Sequence, residues 1–365
     1  MAAPDPDLEE FRAQVRAWCR AHVPADWRAT QTGVSDAEYV AFQQWWFAQL
    51  RDAGYAVPHW PARWGGGMPP ARQVVLYQEL AACDAPRLVL AFVAIHHAAA
   101  TLLEAGTDEQ RGRHLPAILD GEIWVQGFSE PEAGSDLASL RTTARRDGDR
   151  YLVNGQKLWA SGATHADWCL LLARTDPVAE RHHGISVLIV DMRAEGITVR
   201  PIRQINGDEE FNEVFFDQVR VPADQILGSP GQGWRIAMTT VSYERGPADV
   251  GFSSRYGAAI RRLEAAAAQR PGTQVTRQAL ARAYVHTEVL RLHVLRSLSD
   301  RSADGPPGPE SSVDKLLSTR TEQLLHQVAM DVHGAAPLLG EDGEVLFDYL
   351  YSRAASIAGR ASLSV

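Results

Sequence analysis

One carboxylate stands where a carboxylate is costly. Periodicity predicts a helix from Gly233 to Ala267, on which Glu244 shares a face with Ala237, Val241, Ala248 and Gly251, at offsets of −7, −3, +4 and +7. A carboxylate in a stripe of small and apolar residues is either kept neutral or given a task. Desolvation raises such a group toward the range useful to a general base near neutral pH, and the small neighbours leave space beside it. The competing reading is a buried ion pair with Arg245 or another basic residue. Adjacent helix positions point about 100° apart, so Arg245 need not touch Glu244.

Other arrangements that could do chemistry are incomplete. Gly231-Gln232-Gly233 follows a loop and lacks the third glycine of a dinucleotide fingerprint, so it reads as a turn leading into a helix. The run Trp64-Gly65-Gly66-Gly67 has no Lys-Ser/Thr after it and is no phosphate loop. His96-His97 and His182-His183 have no partner at metal-ligand spacing, and no metal site is expected. The three cysteines, Cys19, Cys83 and Cys169, lie far apart without a CxxC, which argues against a zinc site and a disulfide framework. No Gly-x-Ser-x-Gly elbow is present.

The elements that position these residues follow from period and composition. At 365 residues the chain is long enough for two or three domains of roughly 100–200 residues. A net charge of −9 argues against nucleic acid or a basic membrane surface as partner, and 45% hydrophobic residues describe an ordinary globular protein. The N-terminus lacks a basic and apolar leader, and no apolar run is long enough to span a bilayer, so a soluble, cytoplasmic protein is expected. Residues 1–120 carry helical periodicity: Leu8, Phe11, Val15, Trp18 and Cys19 share one face, a second helix begins at the cap Ser35, and three more lie near 70–83, 88–103 and 108–119. From Gly121 to Gly228 the pattern changes to short runs rich in Val, Ile, Leu, Trp and Phe, separated by turn residues such as Asp147-Gly148 and Asn154-Gly155. An antiparallel β-domain is expected over 121–228. Long helical segments then return over 229–365, near 233–267, 276–299, 311–332 and 344–356, and predict a four-helix bundle. The fold class is α+β.

One block is specific enough to name a family. Gln126–Thr142 (QGFSEPEAGSDLASLRT), Asn154–Thr175 (NGQKLWASGATHADWCLLLART) and Phe211–Pro222 (FNEVFFDQVRVP) resemble, in order and spacing, the acyl-CoA dehydrogenase family. GTDEQRGRHLPAILDGE before the block and SYERG after it extend the resemblance over nearly the whole chain. It implies an N-terminal helical domain, a middle β-barrel and a C-terminal four-helix bundle that bind FAD and an acyl thioester, carried by coenzyme A or a carrier protein.

On that resemblance an isoalloxazine ring needs an apolar wall and hydrogen-bond donors. Gln126, Phe128, Ser129, Trp159 and Ser161 are the candidates, with Trp159 shielding one face, and Gly134 and Ser135 are expected to approach the phosphates. The alternative for Trp159 and Phe128 is ordinary barrel core. The family places its base either on the bundle helix before an Arg, as in Tyr243-Glu244-Arg245, or near the C-terminus, where this chain has Gly359. The resemblance therefore implies α,β-desaturation with Glu244 as the α-proton base, Ser135, Val241 and Arg245 toward the substrate, and electrons passing to an acceptor such as an electron-transferring flavoprotein. Departures stand beside it: AGRASLSV (358–365) replaces the family's Gly-Thr segment and last helix, Gly334 matches a Gly-Gly turn only in part, and Arg277 is a substitute for an Arg-x-x-Phe-Gly motif. A homodimer or homotetramer, or a heteromer with a related subunit, is expected. A non-catalytic subunit and a flavin oxidase or monooxygenase are the alternative functions.

Overall fold

A computed structural model describes residues 5–244, 247–269, 272–301 and 310–357. Helices α1 (Pro6–His22), α2 (Trp27–Thr30), α3 (Asp36–Asp52) and α4 (Pro70–Ala82) come first. A π-helical turn, Val93–Ala98, runs into α5 (Ala99–Ala105) and is followed by α6 (Asp108–Leu119). Eight strands follow: β1 (Trp124–Gly127), β2 (Thr143–Asp147), β3 (Arg150–Lys157), β4 (Trp168–Arg174), β5 (Ile185–Asp191), β6 (Ile197–Pro201), β7 (Asn212–Pro222) and β8 (Ile226–Leu227). The described chain closes with α7 (Gly233–Glu244), α8 (Pro247–Ala268), α9 (Gln274–Arg301), α10 (Glu310–His333) and α11 (Gly343–Ala355). The α+β class holds. No helix among the described residues is long and apolar enough to cross a membrane.

One correction concerns the sheet expected over 121–228. The middle sheet is not a closed barrel. Its hydrogen-bonded path runs β6-β7-β3-β2-β4-β5-β8 with β1 added beside β4, so it stops at β6 and at β8. Nor is it purely antiparallel, because β1 pairs with β4 in parallel, Trp124 opposite Trp168 and Gly127 opposite Leu171. The burial pattern supplies the reason. β6 and β7 alternate or face outward, whereas Cys169–Ala173 of β4 and Ile185–Val190 of β5 are buried at every position. A strand buried on both faces has a layer over each, and here the second layer is helical rather than the other half of a barrel. The helix expected over Gly233–Ala267 is described as α7 up to Glu244 and as α8 from Pro247, with residues 245–246 outside the described residues.

The chain groups into two compact units. The first comprises 1–30, 58–86 and 245–365. Within it Glu79 of α4 is almost fully buried and accepts from Arg12 Nη1 at 2.8 Å and Arg16 Nε at 2.9 Å, which fastens α1 to α4. Burial alone would raise the Glu79 carboxyl, but the hydrogen bonds from Arg16 and Arg12 outweigh it and hold the group below the ordinary carboxylate range. Val250, Ile260 and Leu263 of α8 share a core with Leu290 and Val294 of α9 and Leu325 and Val328 of α10. Gln323 Nε2 donates to the Ser352 carbonyl at 3.3 Å and ties α11 to α10.

The second unit comprises 31–57 and 87–244 and contains the whole sheet. Ser35 caps its helix as expected, and Ser35 with Glu38 and Thr107 with Gln110 each form a reciprocal capping box, satisfying amides that a helix start leaves bare. Val125, Ala144, Val153, Cys169, Leu171, Leu188, Val214 and Val219 form the core on one face of the sheet. α7 packs on β5, with Ile236 and Ala237 fully buried. Gly233, as expected of a turn leading into a helix, allows that packing: an added Cβ would lie 2.4 Å from Ser186 Cα and 2.6 Å from its nitrogen.

Candidate active site

The flavin-motif candidates are carried by two chain segments of the sheet-containing unit. The first leaves β1. Gln126, half-buried, pairs with Leu170 of β4, and Phe128 is buried at the strand's end with Ser129 half-exposed after it. Glu130 and Ala133 then exchange backbone hydrogen bonds of 3.0 and 3.1 Å, a tight turn that delivers Gly134 and Ser135 to the surface. An added Cβ on Gly134 would meet no atom within 4 Å, so the backbone there is open to a ligand.

The second segment leaves β3. Leu158 N–H donates to the Ser129 carbonyl at 2.9 Å, which sets the two segments side by side. Trp159 follows with φ +61°, a left-handed conformation rare for a large side chain, and its indole is 54% exposed. Strain of this kind persists only where the surroundings over-determine it. Here Asn212 does so: its carbonyl accepts Ala160 N–H at 3.0 Å, while its Nδ2 donates to the carbonyls of Ala160 and Glu210, both at 3.0 Å. Gly162 N–H donates to the Glu210 carbonyl at 2.9 Å, and the Trp159 ring stands edge-on to Phe211 with centroids 5.9 Å apart. The alternative of Trp159 as sheet core does not survive this exposure. Phe128, by contrast, is buried.

Beneath the two segments lies an ion pair that sequence reasoning passed over. Lys157 is fully buried and its Nζ donates to Glu130 Oε1 at 2.8 Å and to the Phe128 carbonyl at 3.0 Å. Burial alone would raise the Glu130 carboxyl, but Lys157 and the amides of Arg141 and Thr142 outweigh it and hold the group below the ordinary carboxylate range. The available signal was period: Lys157 falls in step with Tyr151 and Val153, the other buried positions of β3. Asn212 carried no signal of its own.

The remaining candidates are placed as follows. Val241 is half-buried on α7, one turn before its end, where Thr240 Oγ1 shares a 2.7 Å hydrogen bond with Thr101 Oγ1. Glu244 is the last residue of α7; its side chain, and Arg245 entirely, lie outside the described residues. Ala248 and Gly251 belong to α8, where Gly251 faces Tyr77 of α4, 3.7 Å from an added Cβ. Arg277 belongs to the helical unit, exposed on the first turn of α9 with Nη1 donating to the Gly272 carbonyl at 3.1 Å. Gly334 ends α10 in the left-handed conformation, φ +64°, and 358–365 lie outside the described residues. His96 and His97 are buried in the π-helical turn, and no group of three metal-ligating side chains occurs among the described residues. A cavity of about 240 Å³ lined by Cys19, Trp27, Cys83 and Asp84 contains none of the flavin-motif residues.

A flat, amphipathic ring fits these residues. Trp159 offers an exposed apolar face, and beside it the Gln126 carboxamide and the Ser129 and Ser161 hydroxyls make no hydrogen bond among the described residues. Unspent donors next to an exposed indole suit a ligand with one apolar face and a polar edge.

Three comparisons place this geometry among known proteins. The chain matches the acyl-CoA dehydrogenase N-terminal domain over 5–122, the middle domain over 126–219 and the C-terminal domain over 231–359. Acyl-CoA dehydrogenase IpdE1 of Mycobacterium tuberculosis is 40% identical over 368 residues, which span 97% of this chain and 94% of the relative. Among solved structures, the ChsE4-ChsE5 complex from Mycobacterium tuberculosis is similar with a TM-score of 0.84 at 29% identity, over 100% of this chain and 96% of that one. The Tcur3481-Tcur3483 steroid ACAD is similar with a TM-score of 0.83 at 30% identity, over 99% and 95%.

Proposed function

The chain belongs to the acyl-CoA dehydrogenase family, and from that premise we propose that it is an FAD-dependent oxidoreductase that desaturates an acyl thioester between Cα and Cβ. The observation that carries the proposal is the exposed, left-handed Trp159 beside the unspent groups of Gln126, Ser129 and Ser161. In this reading Trp159 shields one face of the flavin, Gln126, Ser129 and Ser161 meet its polar edge beside the buried Phe128, and Gly134 and Ser135 approach the phosphates. Arg277 serves the FAD of a neighbouring subunit.

FAD, held by the residues just named, would supply the acceptor for the hydride that leaves Cβ, with an electron-transferring flavoprotein as the expected onward acceptor. The chain does the rest. Val241, Ser135 and Arg245 orient the thioester, and the Glu244 carboxylate removes the α-proton as general base. The steroid ACAD among the similar structures supports including bulky polycyclic acyl thioesters among the substrates tested.

A second reading, that the chain works beside a related subunit, is favoured by the two-component names of both similar structures. Tyr284, Val285, Val289 and Leu292 line one exposed stripe of α9, an apolar surface suited to association through the helices. The test is the visible spectrum and FAD-to-chain ratio of the purified protein, read on a sample whose mass is measured by sedimentation. A yellow oligomer of this chain alone with one FAD per chain is expected from the first reading. Colourless protein that takes up FAD only when a related chain is added favours the second. Rapid reoxidation of the reduced flavin by oxygen indicates an oxidase or monooxygenase instead.

A further inference from the structure

The proposed cofactor site leaves one feature unused: a lysine with no solvent. Lys157 ends β3 and is 0% exposed. Its ammonium spans 2.8 Å to Glu130 Oε1 and 3.0 Å to the Phe128 carbonyl oxygen. Glu130 also accepts the backbone N–H of Arg141 at 2.7 Å and of Thr142 at 2.9 Å, so its carboxylate gathers three chain segments at one point. Room for the lysine stem comes from Gly127: an added Cβ there would lie 2.8 Å from Cys169 Sγ, 3.2 Å from Leu171 Cδ1 and 3.5 Å from Lys157 Cγ. The next residue, Leu158, donates to the Ser129 carbonyl at 2.9 Å, and Trp159 follows it. Burial pushes the ammonium down from its ordinary range, and Glu130 opposes that.

A buried ion pair is a poor way to stabilise a core, since apolar residues of the same volume often do better. Its advantage is geometric, because a charge-assisted hydrogen bond fixes distance and direction. We propose that Lys157 is a positioning residue for the cofactor: by drawing the Phe128 carbonyl and the Glu130 carboxylate to the end of β3, it sets where Phe128 and Ser129 stand relative to Trp159. The proposal rests on the flavin reading above.

Two variants test it. Lys157→Met keeps the stem and removes the charge, leaving Glu130 buried without a cation. The double variant Lys157→Met/Glu130→Gln removes that uncompensated charge as well. FAD is titrated into each apoprotein, the circular dichroism of the bound flavin is recorded, and Tm is read on the apoprotein. The single variant is expected to raise the FAD dissociation constant roughly tenfold or more, the consequence of losing a hydrogen bond to a charged group. The double variant is expected to recover the parent Tm yet keep the weakened affinity and the altered flavin dichroism, because the Phe128 carbonyl still lacks its ammonium. Parent-like affinity in the single variant, or affinity and dichroism that return with Tm in the double, would overturn the proposal and reduce Lys157 to neutralising a buried charge. If the single variant does not fold, the double decides by the same two outcomes. A parent chain that takes up no FAD overturns the flavin reading and the proposal with it, whereas parent uptake with unchanged variants overturns the proposal alone.

Discussion

Glu244→Gln is expected to slow anaerobic flavin reduction by substrate by about 10²–10⁴-fold, the usual cost of losing a general base, while FAD content stays at the parent level. The substitution keeps size and polarity and removes only the ability to accept the α-proton, so it separates chemistry from packing. Glu244 is the last described residue of α7, whose preceding turns are anchored: Ile236 and Ala237 are fully buried, and Thr240 is hydrogen-bonded to Thr101. A helix fixed this way gives the carboxylate a defined starting point. The competing role, a buried ion pair with Arg245, makes the opposite forecast. Under it the variant loses stability and flavin reduction proceeds at the parent rate. Stopped-flow reduction and thermal unfolding on the same preparation separate the two.

Trp159→Ala is expected to weaken FAD binding by about 1–3 kcal/mol, roughly a five- to 150-fold rise in the dissociation constant, through loss of stacked aromatic area. The cost to the fold should be small. The indole is 54% exposed and touches Phe211 only edge-on, so its removal opens no buried cavity. Were Trp159 a packing residue, Tm would fall and FAD affinity would not change. Titration of FAD into the apoprotein, with Tm measured alongside, gives both numbers. Unchanged affinity would remove Trp159 from the cofactor site.

Much of this arrangement was legible in the sequence because its signals are local. Ser35-x-x-Glu38 is a capping box that needs nothing beyond one helical turn. The apolar runs of β4 and β5 and the motif around Ser129 and Trp159 are likewise contiguous in the chain. What escaped notice depends on partners outside the run itself. β2 has a single buried side chain, Ala144, in a run of charged residues, and is a strand only because β3 pairs with it from Asp147 back to Thr143. The parallel pairing of β1 with β4 brings together residues more than 40 positions apart, and no turn residue announces it. Closure of the sheet is a property of all strands at once, and the helical cover over β5 that replaces it is invisible to a period-two pattern. The buried pair of Lys157 and Glu130 is separated by 27 positions and looked like one surface lysine and one turn residue.

The central claim, that this chain oxidises the Cα–Cβ bond of an acyl thioester, is tested most directly by anaerobic mixing of the purified protein with a panel of acyl-CoAs, straight-chain and polycyclic. The account predicts that at least one of them bleaches the visible flavin absorption and yields the α,β-unsaturated thioester in stoichiometric amount by mass spectrometry. A fully loaded flavoprotein that no acyl-CoA or acyl-carrier-protein thioester bleaches would contradict it.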